Sequence, residues 1–223
     1  MKRLGVLAVI ALLFASAVPA MALTISQTVV FNPTELATPQ TLTFNQFDDN
    51  GGAYTLLKVT LDLSATISGH MTAENLDQAG GQISVTLDGT ATATLYDLTA
   101  VANTSASAGP TAIGGFDGLI DGAGADFLDF GALSDSGNGS DVIPPGDLTP
   151  FIGTGTIDAD VTASATWGFT GVTDAFLHVS NLSKSGEGTL TYEYTNVPEP
   201  GTIAMMIMGG LGVVGGVIRK IRK

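Results

Sequence analysis

A strict two-residue alternation constrains this chain more than any other feature. From Leu57 to Ser68 the odd positions are Leu57, Val59, Leu61, Leu63, Ala65 and Ile67. The even positions are Lys58, Thr60, Asp62, Ser64, Thr66 and Ser68. Successive side chains of a strand point to opposite faces, so this run predicts a β-strand with one buried and one wet face. The pattern recurs. Ile83, Val85, Leu87, Ala91, Ala93 and Leu95 alternate with Ser, Thr and Asp, as do Ile157, Ala159, Val161, Ala163, Ala165 and Trp167. Leu190, Tyr192 and Tyr194 close the series, and Thr24–Phe31, Thr41–Phe47 and Ala175–Val179 are shorter candidates.

Nothing between residues 23 and 196 shows the three-to-four spacing of an amphipathic helix, and the abundant Thr and Gly disfavour one. Strands with one apolar face bury it against a second sheet, so the expected fold is all-β, an antiparallel β-sandwich of jelly-roll-like form. Gly69 and Gly89 are expected to mark bulges or bends in strands longer than the usual five or six residues. From about Asn103 to Pro150 the chain is rich in Gly, Pro, Ser and Asp, and a long irregular segment is expected there.

Both ends differ from this body. Met1-Lys2-Arg3, an apolar run from Leu4 to Val18 and Ala20-Met21-Ala22 form a charged region, an apolar region and a small-x-small site. This predicts a signal peptide over residues 1–22, cut after Ala22 so that the mature chain starts at Leu23. At the other end Pro198-Glu199-Pro200-Gly201 precedes an uncharged stretch, Ile203–Ile218, and the bases Arg219, Lys220, Arg222 and Lys223. As a helix that stretch spans about 24 Å, slightly less than a bilayer core of about 30 Å. The basic cluster would hold its end in the cytoplasm and leave residues 23–196 outside the inner membrane.

Charge narrows the function classes. Between Leu23 and Val197 there are 20 acids and only two bases, Lys58 and Lys184, a net charge of −18. Such a domain cannot neutralise phosphates, which excludes a nucleic-acid partner. With no Cys there is no disulfide, thiolate nucleophile or thiolate metal site, and two His cannot form a three-His zinc site.

The tail from Pro198 to Lys223 resembles a PEP-CTERM sorting signal: the Pro-Glu-Pro motif, an apolar helix and a basic end occur in that order at the C-terminus. The resemblance implies a Gram-negative bacterium, export by the Sec machinery and recognition by an exosortase-type membrane protease. The chain would lodge transiently in the inner membrane through its C-terminal helix (residues 197–223) before reaching the outer surface or extracellular matrix. The body also resembles the choice-of-anchor E domain. The likeness rests on Gln27–Phe31, Gln40–Asp48, Leu57–Gly69 with Thr72–Asp77, Gly153–Ile157 and Gly188–Tyr194. In place of that family's Asp-Pro, this chain has Asp48-Asp49. The family implies surface display and supplies no catalytic residues.

Candidate chemistry is sparse. Phe116–Asp129 gathers Asp117, Asp121, Asp126 and Asp129 in a Gly-rich stretch whose oxygens suit Ca²⁺. Plain solvation of loop carboxylates is the competing and more ordinary reading. Otherwise no cofactor, metal ligand set or catalytic residue is assigned. His70 and His178 fall on the polar sides of strands, and Trp167 falls on an apolar side and is expected in the core. No Gly-x-Ser-x-Gly elbow occurs. The asparagines of Asn-x-Ser sequences (Asn103, Asn138, Asn181) matter only in a host that glycosylates them. The expected function is a non-enzymatic, exported surface or matrix protein associated with exopolysaccharide or biofilm. The alternative is a secreted carbohydrate-binding module or carbohydrate-active enzyme.

Overall fold

A computed structural model describes residues 22–197. The alternating runs form eight strands: β1 (Leu23–Glu35), β2 (Gln40–Asn45), β3 (Tyr54–Asn75), β4 (Gly81–Leu95), β5 (Leu98–Ile113), β6 (Phe127–Ile143), β7 (Thr156–Thr170) and β8 (Ala175–Asn196). A single 3-10 turn, Thr149–Phe151, lies between β6 and β7. All strand pairs are antiparallel and build two four-stranded sheets, β1-β8-β3-β6 and β2-β7-β4-β5. Among the described strands only β4 and β5 are joined as a hairpin within one sheet, and every other connection crosses between sheets. This strand order is that of an eight-stranded jelly roll, two Greek keys wrapped around one core.

The alternation decides which side chains meet. Val59, Leu61, Leu63 and Ala65 of β3, Leu190 and Tyr192 of β8, and Ala159 and Val161 of β7 are buried against Leu42 and Phe44 of β2. Burying each large apolar side chain contributes about 1.5–3 kcal/mol. A second cluster, toward the other end, joins Met71, Ala73, Ile83, Val85, Leu87, Ile113 and Leu133. At the near end Phe47, Tyr54, Tyr192 and Tyr194 pack ring against ring, with centroids 5.2–5.7 Å apart.

Three expectations are corrected in detail. Leu57 does not share the buried face with Val59; the β3–β8 register slips between Leu56 and Lys58, and Leu56 is buried instead. Gly69 does sit at a register slip, between Ser68 and His70, but Gly89 lies in unbroken pairing. A Cβ on Gly89 would fall 2.4 Å from Ile67 Cδ1, so this glycine allows close sheet-to-sheet approach rather than a bulge. The segment from Asn103 to Pro150 is not irregular throughout, because it contains the second half of β5 and all of β6.

The inward positions of β6 explain that last departure. Beyond Leu133, which joins the second cluster, they include Asp135, Gly137, Gly139 and Asp141, and these four face the backbone of β5 rather than an apolar core. A Cβ on Gly137 or Gly139 would stand 2.1 Å from the carbonyl oxygen of Asn103 or Val101. The flanking carboxylates accept backbone hydrogen bonds from β5: Thr99 N–H to Asp141 Oδ2 at 2.7 Å, and Ser105 N–H to Asp135 Oδ2 at 2.8 Å. On the opposite side of the sandwich Gln27 of β1 bridges to β2. Its amide nitrogen donates to Asn45 O (2.9 Å) and its oxygen accepts from Asn45 N–H (2.8 Å). Side chains thus occupy edge groups that would otherwise invite pairing with another chain.

Candidate functional site

The two chain ends leave the sandwich together. Leu23, the first residue of β1, pairs with Tyr194 of β8, and Val197 N–H donates to Ala53 O at 2.8 Å just beyond the end of β8. Ala22 and Leu23 are exposed. The predicted signal-peptide junction and the start of the C-terminal tail therefore lie on neighbouring strands, beside the Phe47, Tyr54, Tyr192 and Tyr194 cluster. Ala20, Pro198, Glu199, Pro200, the expected C-terminal helix and Arg219, Lys220, Arg222 and Lys223 lie outside the described residues. Among the described residues no helix is long and apolar enough to cross a membrane.

The tail is attached to a well-held strand. β8 is 22 residues long and pairs on both sides, with β1 and with β3. Buried Tyr192 donates its hydroxyl proton to Asn45 O at 2.9 Å, and burial pushes its phenol well above the ordinary range. Lys184 is also buried; its Nζ donates to Leu36 O (3.2 Å) and Thr38 O (2.6 Å), and desolvation lowers its pKa. Missed in the sequence, Lys184 ties the β1–β2 connection to the strand that carries the tail.

Residues 196–223 match the PEP-CTERM protein-sorting motif. The match begins at the last residue of β8 and covers the Pro198-Glu199-Pro200 element, the apolar stretch and the basic end. A PEP-CTERM motif supports export through an exosortase system, with membrane-anchored sorting in a Gram-negative envelope. No curated protein matches the chain. Among solved structures the chain is similar to that of the infectious bursal disease virus Gt strain, at 10% identity and a TM-score of 0.15, covering 83% of this chain and 48% of that one. It is likewise similar to infectious bursal virus derived T=1 particles, at 11% identity and a TM-score of 0.14, covering 79% of this chain and 41% of that one. The chain thus spans about half or less of those structures, and likenesses with TM-scores this low carry no argument about fold or function.

Far from the chain ends, the acidic segment between β5 and β6 packs against the last residues of β3. Glu74 is buried and its two oxygens accept the backbone N–H groups of Asp121 (3.1 Å) and Gly122 (3.3 Å). Asn75 is buried too, donating to Gly114 O (2.7 Å) and Ala79 O (3.0 Å). Asp77 accepts from the backbone N–H (2.7 Å) and hydroxyl (2.5 Å) of Thr173, which lower its pKa. The four aspartates proposed as oxygen ligands are not brought to one point. Asp121 Oδ1 caps Ala123 N–H at 3.0 Å, and Asp129 Oδ1 lies 2.8 Å from His70 Nε2. Asp117 and Asp126 do meet, since Asp126 Oδ2 accepts Asp117 N–H at 3.0 Å. Among the described residues no group of three or more His, Asp or Glu side chains is arranged to hold a metal.

The remaining candidates are surface features. His178 is exposed, and His70 is partly exposed beside Asp129. Trp167, expected in the core, is 46% exposed. The reason is local: β2 covers β7 only as far as Val161, so beyond that residue β7 is a bare sheet edge. A shallow hollow of about 300 Å³ on the outer face of the first sheet is lined by Asp62, Ser64, Asn138, Ser140, Glu187 and Thr189.

Proposed function

We propose that this chain is an exported, non-enzymatic surface or matrix protein, translocated by the Sec machinery and cut by an exosortase-type protease beside Pro198-Glu199-Pro200. The match of residues 196–223 to the sorting motif carries this reading. A body of the choice-of-anchor E type, ending on the outer surface or in exopolysaccharide, is the finer form of the proposal. Two further features support it: 20 acids against two bases favour a solvated, self-repelling display module, and the exit of the tail from a doubly paired strand suits a domain carried on its C-terminus. Intact mass and fractionation of the protein from its native cells test the reading. Mature chains that start at Leu23, end near Pro200 and sit outside the inner membrane are expected. Chains retaining Lys223 in the inner membrane would refute exosortase cleavage.

Exposed aromatics favour a second reading, a carbohydrate-binding module. Tyr96, Trp167 and Phe176 are 56%, 46% and 46% exposed, and the Asp62–Glu187 hollow offers polar partners for sugar hydroxyls. Retention of the purified protein on immobilised exopolysaccharide, lost in Trp167→Ala or Asp62→Asn, would favour this module. Release of reducing ends would make it an enzyme.

A further inference from the structure

One carboxylate oxygen in the acidic segment has no partner. Asp126 is fully buried, and while its Oδ2 accepts Asp117 N–H, its Oδ1 makes no hydrogen bond. Leaving a buried charged oxygen unpaired is costly, and such an atom calls for a ligand to explain it. A Cβ built on Gly124 would lie 2.6 Å from Asp126 Oδ1 and 3.1 Å from Asp117 Oδ2, so the two carboxylate oxygens converge on this glycine, where any side chain would collide with them. Gly124 has φ +92°, a conformation that disfavours any other residue, and Gly118 and Gly122, earlier in the same loop, have positive φ as well.

The domain offers this oxygen no cation of its own. Lys58 pairs with Glu193, Lys184 is committed to the carbonyls of Leu36 and Thr38, and His70 lies against Asp129. No other base occurs between residues 23 and 197 apart from exposed His178. The partner must therefore come from solution.

We propose that Asp117 Oδ2 and Asp126 Oδ1 bind one Ca²⁺ over Gly124, with loop carbonyls and water completing its coordination. Calcium accepts six to eight oxygens in irregular geometry, including carbonyls and water, whereas Mg²⁺ demands a near-octahedral set. Two carboxylates without a closed cage place the affinity among extracellular calcium modules, with Kd on the order of 0.1–1 mM. Bound there, the ion would fasten the β5–β6 loop to the end of β3 through Glu74, which already holds Asp121 and Gly122. This inference does not depend on the sorting role.

The test uses full-length protein purified in detergent, stripped with chelator and titrated with CaCl₂, or with MgCl₂ at equal ionic strength. Calorimetry should show one Ca²⁺ per chain, and 10 mM Ca²⁺ should raise Tm by about 3–11 °C while Mg²⁺ raises it little. Asp117→Asn should weaken Ca²⁺ at least tenfold and leave the metal-free Tm unchanged, because an amide oxygen still accepts Leu119 N–H. Asp126→Asn should do the same to affinity, and Asp147→Asn, in a different loop, should keep the full response. Equal responses to Ca²⁺ and Mg²⁺, or undiminished Ca²⁺ binding by Asp117→Asn, would overturn the proposal.

Discussion

Gly139→Ala tests how the open side of the sandwich is closed. The added Cβ would stand 2.1 Å from Val101 O, 2.3 Å from its carbonyl carbon and 2.7 Å from its nitrogen. Ordinary contact begins near 3.4 Å, so β6 and β5 must separate locally by more than 1 Å. All three obstructing atoms are backbone, so no side-chain rotation relieves the clash. Asp141, two residues on, holds Thr99 N–H at 2.7 Å, and that bond cannot survive a displacement of this size. Overpacking of this kind costs about 1–3 kcal/mol. Losing one hydrogen bond to a charged group adds about 1 kcal/mol or more, the lower end applying because the pair is exposed. A total of roughly 2–4 kcal/mol should lower Tm by about 5–15 °C in a domain of this size. Thermal unfolding followed by circular dichroism measures it, with Gly168→Ala as the control. A Cβ on Gly168 meets only Thr86 Oγ1 at 3.7 Å, and its variant should melt within about 2 °C of the parent. If Gly139→Ala melts like the control, β5 and β6 are not in the close approach described, and the account of edge closure is wrong.

Other consequences concern buried polar groups. Tyr192→Phe removes the bond to Asn45 O and should cost about 0.5–1.5 kcal/mol at neutral pH by chemical denaturation. Because folding raises the Tyr192 pKa above its ordinary value of 10.0, the native state binds more protons above pH 10. Stability should therefore fall as pH rises past 10, and the advantage of the parent over Tyr192→Phe should shrink there. Lys184→Met deprives the Leu36 and Thr38 carbonyls of their donor and should destabilise by about 1–3 kcal/mol, with faster proteolysis between residues 35 and 40. Folding lowers the Lys184 pKa, so the unfolded chain binds the extra proton just below pH 10.5. The parent should gain stability as pH approaches that value, and Lys184→Met should lack the gain. Asp77→Asn should flatten the acid limb of the stability profile below pH 3.8, since Thr173 holds Asp77 ionised in the folded state.

Where side-chain polarity reports burial, the fold was legible. β3, β4 and β7 alternate as Leu, Val, Ala and Ile against Thr, Ser and Asp because their inner faces meet an apolar core. β6 could not be read this way. From Asp135 to Asp141 its inner face meets peptide backbone, so close approach selects Gly137 and Gly139 and edge capping selects Asp135 and Asp141, which locally imitate a loop. Trp167 kept the right face but lost its cover, since alternation says nothing about where a neighbouring strand begins. The pairing of Asp117 with Asp126 was present in the sequence only as two members of an acidic run. Which of the four aspartates converge depends on Glu74 and Asn75, more than 40 residues earlier, pulling the loop onto β3. The sorting tail was legible because its signal is an order of local elements that requires no tertiary fold.

The place of β8 sets the timetable of folding. This last strand lies between the first and the third, and it contributes Tyr192 and Leu190 to the core. A chain emerging N-terminus first can form the β4–β5 hairpin early, but β1 and β3 have no common neighbour until residues 175–196 arrive. Pairings such as Leu23 with Tyr194 close loops of more than 170 residues, the slow kind of contact. The first sheet therefore closes only when β8 is available, and on the proposed export route that is the moment just before the tail follows it.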